Sequence, residues 1–207
     1  GGDFILTAGE TTAASSTGGQ VLATGGQGSH TTNGEGGAVV LTGGTGSSKT
    51  GGMISLSTGY GTSTTSGGIV MKSVNAGTNG VSGALNFFTG TTSSGASGAV
   101  IIKTGSATNG KSGSITLSVG NGNTGAGGDI ELFGGLSNGA TGGTISIATG
   151  YGMTSTSGSL SIQSVNAGTN GISGSLSFSS GTTSSGSSGQ ISFTSGAATH
   201  GKGGDVL

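Results

Sequence analysis

Proline, cysteine, tryptophan and arginine do not occur in this chain, and charge of either sign is scarce. Each absence closes a possibility. Without cysteine there is neither a disulfide framework nor a thiolate metal site, and the redox compartment stays unread. Without proline, and with glycine not falling at every third residue, a collagen-type triple helix is excluded. Charged residues are 5% of the chain and the net charge is −1, so nothing attracts nucleic acid or an acidic membrane surface over distance. Long apolar runs are missing too: no stretch of 18 apolar residues offers a helical membrane span.

What the chain has instead is glycine, 52 of its 207 residues, together with serine and threonine. Such a composition often marks a flexible linker. Disordered segments, however, are typically charged and poor in β-branched residues. This chain is nearly neutral and spaces Ile, Val, Leu and Phe regularly.

The spacing comes from a repeated unit. Gly142-Gly143-Thr144-Ile145-Ser146-Ile147-Ala148-Thr149-Gly150 has counterparts in Gly51 to Gly59, Gly113 to Gly120 and Gly127 to Gly134. Each unit opens on glycine, places two apolar residues two positions apart, and closes on glycine. Alternation by two is the period of a half-buried strand. A longer period lies above it: residues 36–116 align without a gap on 127–207 at an offset of 91. Ser73-Val74-Asn75-Ala76-Gly77-Thr78-Asn79-Gly80 returns as Ser164 to Gly171, and Gly90 to Gly95 returns as Gly181 to Gly186. Duplication in frame is tolerated where each unit touches only its neighbours.

The expected fold is therefore all-β. It is a β-solenoid, parallel β-helix-like, with about 13 thin, flattened coils of 14–18 residues, forming one continuous array over 1–207. The array reads as an excerpt of a longer repeat protein. The expected inward pairs are Phe4 with Leu6, Val39 with Leu41, Ile54 with Leu56, Ile69 with Met71, Leu85 with Phe87, and Val100 with Ile102. They continue as Ile115 with Leu117, Ile130 with Leu132, Ile145 with Ile147, Leu160 with Ile162, Leu176 with Phe178, and Ile191 with Phe193. Two such residues per coil cannot alone offset the ordering of about 15 residues. The reading thus requires backbone hydrogen bonds from coil to coil and tight packing of Gly, Ala and Ser. Phe88, Ile101 and Phe133 point outward and read as isolated surface apolar residues.

Motifs that carry chemistry are matched only in letters. Gly105-Ser106-Ala107-Thr108-Asn109-Gly110-Lys111-Ser112 fits the phosphate-loop pattern. That chemistry needs a helix after the lysine, whereas Gly113 to Ser118 reads as another strand, and the duplicated copy has Gly203 where the hydroxyl belongs. Gly120 to Gly125 fits G-x-G-x-x-G without a βαβ unit around it. Asp3, Asp129 and Asp205 share one coil position on non-adjacent coils, too sparse for a calcium ladder. Asp129 and Glu131 do not amount to the carboxylate machinery of a solenoid lyase or hydrolase, and His30 and His200 lack ligand-like partners. No catalytic residue, cofactor or metal ligand is assigned, and an enzyme is not expected.

The runs SVNAGTNGVSG, TGTTSSGASG, TGSATNGKSG and SVGNGNTGAGG, with the GGxIxLxTG unit between them, resemble long Gly/Ser/Thr-rich repeat arrays in extracellular or cell-surface proteins of microalgae and stramenopiles. The resemblance covers nearly the whole chain. It implies an exported coat or appendage protein. The expected function is a structural filament or coat built by stacking of coils, with self-assembly as the main partnership. O-linked glycans are expected on the Thr/Ser tracts Thr62–Ser66, Thr91–Ser94 and Thr182–Ser185, extracellular polysaccharide is a further expected partner of the chain, and no Asn-x-Ser/Thr site occurs. The alternative is a surface-binding module, for ice or carbohydrate. Its outward ranks are interrupted by Lys72, Phe88, Lys103 and Phe133.

Overall fold

A computed structural model describes residues 2–207. Among these residues there is neither helix nor strand; extended arms alternate with turns and bends. The chain divides into two units, Gly1–Ile102 and Lys103–Leu207. The expected all-β solenoid of stacked parallel coils is corrected on this point, and the reason lies in how each polar arc closes.

A coil of about 15 residues places each residue beside the one a full coil later. Here the chain returns on itself after half that distance. Gly52 N–H donates to Gly44 O at 2.8 Å and Gly67 N–H to Gly59 O at 3.1 Å in the first unit. In the second, Gly143 N–H donates to Gly135 O at 2.8 Å and Gly158 N–H to Gly150 O at 2.9 Å. Each of these links joins residues eight apart, and Gly19 to Gly9 and Gly37 to Gly26 close slightly longer arcs in the same way. The arc is thus a hairpin-like loop pinched at a neck. The arm leaving a neck starts out antiparallel to the arm entering it.

Glycine makes the necks possible by removing a side chain. An alanine Cβ at Gly134 would lie 2.5 Å from Gly143 O, and one at Gly43 would run into Gly52 O. Other necks pinch glycine against a small side chain: a Cβ at Gly67 would sit 3.2 Å from Thr58 Cβ, and one at Gly158 3.3 Å from Thr149 Cβ.

Beyond the necks the arms form no ladder. Among the described residues, backbone–backbone hydrogen bonds occur at six necks and in four turns, far below the roughly one per residue of a folded domain. The cause is visible in the arms. Each carries two apolar residues and several glycines, so ordering it costs much chain entropy and buries little. Among the described residues the coil-to-coil hydrogen bonds that a solenoid requires are not made.

The expected core is corrected together with the fold. The described residues include no buried side chain, apolar or polar. In the first unit Ile54, Leu56, Ile69, Met71, Leu85, Phe87, Val100 and Ile102 are all exposed. In the second, Ile115, Leu117, Ile130, Leu132, Ile145, Ile147, Leu160, Ile162, Leu176, Phe178, Ile191 and Phe193 are exposed as well. Ile162 is representative: expected to face inward beside Leu160, it is 53% exposed. The physical reason is the same for all. Among the described residues nothing closes over these side chains.

Candidate functional site

At the necks a glycine stands beside a small residue of the facing segment: Gly67 beside Thr58, Gly83 beside Ser73 and Gly98 beside Thr89 in the first unit, and Gly158 beside Thr149, Gly174 beside Ser164 and Gly189 beside Ser180 in the second, where Gly128 also stands beside Val119. Within each arm the two apolar residues are spaced by two and so fall on one side of that arm.

In some arms exposure follows the alternation: Ile54 is 52% exposed and Met53 85%, and Ile69 at 57% contrasts with Val70 at 82%; in others it does not, Ile102 matching Ile101 at 76%. The residues expected to form a core all remain open to solvent. Phe178 and Phe193 meet edge to face with ring centroids 5.8 Å apart. That is the diagonal contact that long side chains on neighbouring antiparallel arms can reach.

One apolar contact was not expected: Val119 is among the least exposed large apolar residues, with its Cγ1 against Gly128. A signal for Val119 is its place two residues beyond Leu117, which extends the alternation by one step.

The polar candidates stay apart. Lys111, in the phosphate-loop-like stretch, follows a bend at 108–110 and no helix comes after it. His30 Nδ1 accepts long hydrogen bonds from the Thr32 and Asn33 amides, both 3.4 Å, and lies 3.1 Å from Thr32 Oγ1, all within its own turn. Among the described residues no group of three or more His, Asp or Glu side chains converges on a common point, and no pocket is enclosed. No helix among them is long and apolar enough to cross a membrane.

No protein-family model, curated protein or solved structure matches this chain.

The arcs that join the arms present hydroxyls in defined turns. Thr92 Oγ1 donates to Ser94 O at 3.0 Å and accepts from Ser94 N–H at 3.3 Å; Thr183 makes the same two bonds with Ser185, at 2.9 and 3.3 Å. Gly95 and Gly186 follow with φ of 105° and 101°, a conformation that glycine adopts without strain. The chain thus offers two chemistries: an aliphatic and aromatic face along the arms, and a hydroxyl surface at the arcs.

Proposed function

We propose that the chain is a structural component of an extracellular coat or filament and that it gains its order by associating with further copies of itself. The observation that carries this reading is the apolar pair present in nearly every arm and left half exposed. Its scale is large. The chain exposes 20077 Å² at a mass of 19.0 kDa, where a compact monomer of that mass exposes about 8,400 Å². A polypeptide that keeps so much surface open is stabilised by neighbours that cover it.

Near neutrality supports the same reading, because copies with a net charge of −1 do not repel one another strongly. Extracellular placement rests on the resemblance to cell-surface repeat arrays. The hydroxyl-rich arcs, Thr62–Ser66, Thr91–Ser94 and Thr182–Ser185, are where O-linked glycans attach or extracellular polysaccharide is contacted in this proposal. It gives the chain no catalytic role.

Sedimentation and electron microscopy of the purified chain over a concentration series test it. Extended or sheet-like assemblies are expected to grow with concentration. Single chains that stay monodisperse up to millimolar concentration would end the proposal.

A further inference from the structure

Asparagine is followed directly by glycine at six places in the arcs: Asn33-Gly34, Asn79-Gly80, Asn109-Gly110, Asn121-Gly122, Asn138-Gly139 and Asn170-Gly171, all of them exposed. The pairing is chemically reactive. The backbone nitrogen after an asparagine can attack the side-chain amide carbon Cγ, and glycine obstructs that approach least because it has no Cβ and turns freely. A bond forms from the glycine nitrogen to Cγ and the Cγ–Nδ2 bond breaks. The glycine amide proton passes to solvent, while Nδ2 takes a proton from solvent and departs as ammonia. Water then opens the resulting succinimide at either carbonyl, leaving aspartate or isoaspartate. Water is the only co-reactant.

We propose that Asn109, Asn121 and Asn138 are sites of spontaneous deamidation, and that hydrogen-bonded turns hold the same reaction back at Asn33, Asn79 and Asn170. The distinction lies in the attacking nitrogen. Gly34 N–H donates to His30 O at 3.1 Å, Gly80 N–H to Gly77 O at 3.3 Å and Gly171 N–H to Gly168 O at 3.4 Å. An amide held in this way must leave its carbonyl before the nitrogen can lose its proton and swing onto Cγ. The turn at Asn33 is held further by the Thr32 and Asn33 amides, which both donate to His30 Nδ1. Asn79 and Asn170 are related by the offset of 91 and their turns match, a Cβ at Gly80 or Gly171 lying 3.3 Å from the Cβ of Ala76 or Ala167. Among the described residues the amides of Gly110, Gly122 and Gly139 donate no hydrogen bond. There is room around two of them as well: a Cβ at Gly110 or Gly139 would meet nothing within 4 Å.

The three open sites all lie in the unit Lys103–Leu207. There Lys103, Lys111 and Lys202 balance Asp129, Glu131 and Asp205. Each conversion adds one negative charge to this unit, and isoaspartate also lengthens the backbone by a methylene. The second unit thus turns acidic with age while the first keeps its charge. The modification does not depend on association between copies.

The test incubates the purified full chain at physiological temperature and mildly alkaline pH and follows all six sites in one sample by peptide mapping with mass spectrometry. Electron-transfer fragmentation tells aspartate from isoaspartate. Conversion at Asn109, Asn121 and Asn138 is expected to run about 2- to 10-fold faster than at Asn33, Asn79 and Asn170, the factor that one hydrogen bond confers. Asn79 and Asn170 are expected to convert at equal rates. In concentrated guanidinium chloride, which opens the turns, all six rates are expected to converge. Equal rates at the six sites in native buffer, or a spread that survives in guanidinium chloride, overturn the protective role of the turns. Absence of conversion at the three open sites overturns the proposal altogether.

Discussion

Moving one methyl group between two adjacent glycines should separate a closed neck from an open one. Gly134 and Gly135 both sit at the neck where Gly143 N–H donates to Gly135 O at 2.8 Å. An alanine Cβ at Gly134 would lie 2.5 Å from Gly143 O and 3.1 Å from Gly143 C, whereas at Gly135 it would meet nothing within 4 Å. The blocking atoms are backbone and cannot swing aside. To restore ordinary contact the two sides must part by about 0.9 Å, which carries the hydrogen bond past the range in which it counts as one.

The lost bond is worth about 0.5–1.5 kcal/mol net. Both substitutions also narrow the freedom of the open chain, worth about 0.4–1 kcal/mol in favour of the closed form. That gain is common to the two and cancels in their comparison. Gly134→Ala and Gly135→Ala should therefore differ by about 1 kcal/mol, roughly fivefold in the closed fraction of the neck. Amide exchange of Gly143 reads the difference, with the Gly158 amide, bonded to Gly150 O at 2.9 Å, as reference within the same unit. Slower exchange in Gly135→Ala than in Gly134→Ala is expected. Equal exchange in the two variants would refute the steric account of the necks.

The hydroxyl turns should respond alike in their two copies: Thr92→Ala and Thr183→Ala each remove an acceptor for the serine amide and a donor to its carbonyl, at about 1 kcal/mol per turn, whereas serine at either position keeps both. Amide temperature coefficients of Ser94 and Ser185 check this. Gly95→Ala and Gly186→Ala should cost about another 1 kcal/mol each by forcing a side chain into positive φ, and the same amides report it. His30→Phe keeps a flat ring but removes Nδ1, so exchange at Thr32 and Asn33 should quicken while the other amides stay unchanged. Thermal hysteresis should be absent, because ordered ice recognition needs a rigid regular rank and the outward positions include Lys72, Phe88, Lys103 and Phe133.

Several features could be read from the residues because they are local. The opening and closing glycines mark the necks, since only a residue without a side chain lets two backbone segments approach as Gly134 and Gly143 do. Alternation by two separates Ile54 and Leu56 from Met53, and the exposures of these three keep that separation. The duplication at an offset of 91 predicts paired turns, which Thr92 with Gly95 and Thr183 with Gly186 supply. Enclosure was not legible. An alternating pattern says that a face is apolar, but whether anything covers it depends on surface brought from elsewhere. Leu160 and Ile162 show the gap: their spacing sets them on one side of the arm, yet nothing in it reveals that this side stays open. Val119 was passed over because it lies at a neck, where the glycine opposite, Gly128, supplies its contact.

The course of the chain was hidden for a reason of symmetry. Two apolar residues spaced by two read the same in either direction. Stacked in parallel, Ile54 faces Ile69 and Leu56 faces Met71; folded back, Leu56 faces Ile69 and Ile54 faces Met71. Both arrangements match apolar with apolar, and both put glycine at the corners. Even the Phe178–Phe193 contact fits either, as a direct neighbour in one and a diagonal neighbour in the other. Arc closure breaks the tie. A link from Gly67 to Gly59 joins residues eight apart, which a stack with one strand per coil never brings together by backbone hydrogen bonding. The same repeat thus encodes the apolar face firmly and the path between arms weakly. The apolar pairs are left open in both units, and in the assembly proposed, covering them falls to further copies of the chain.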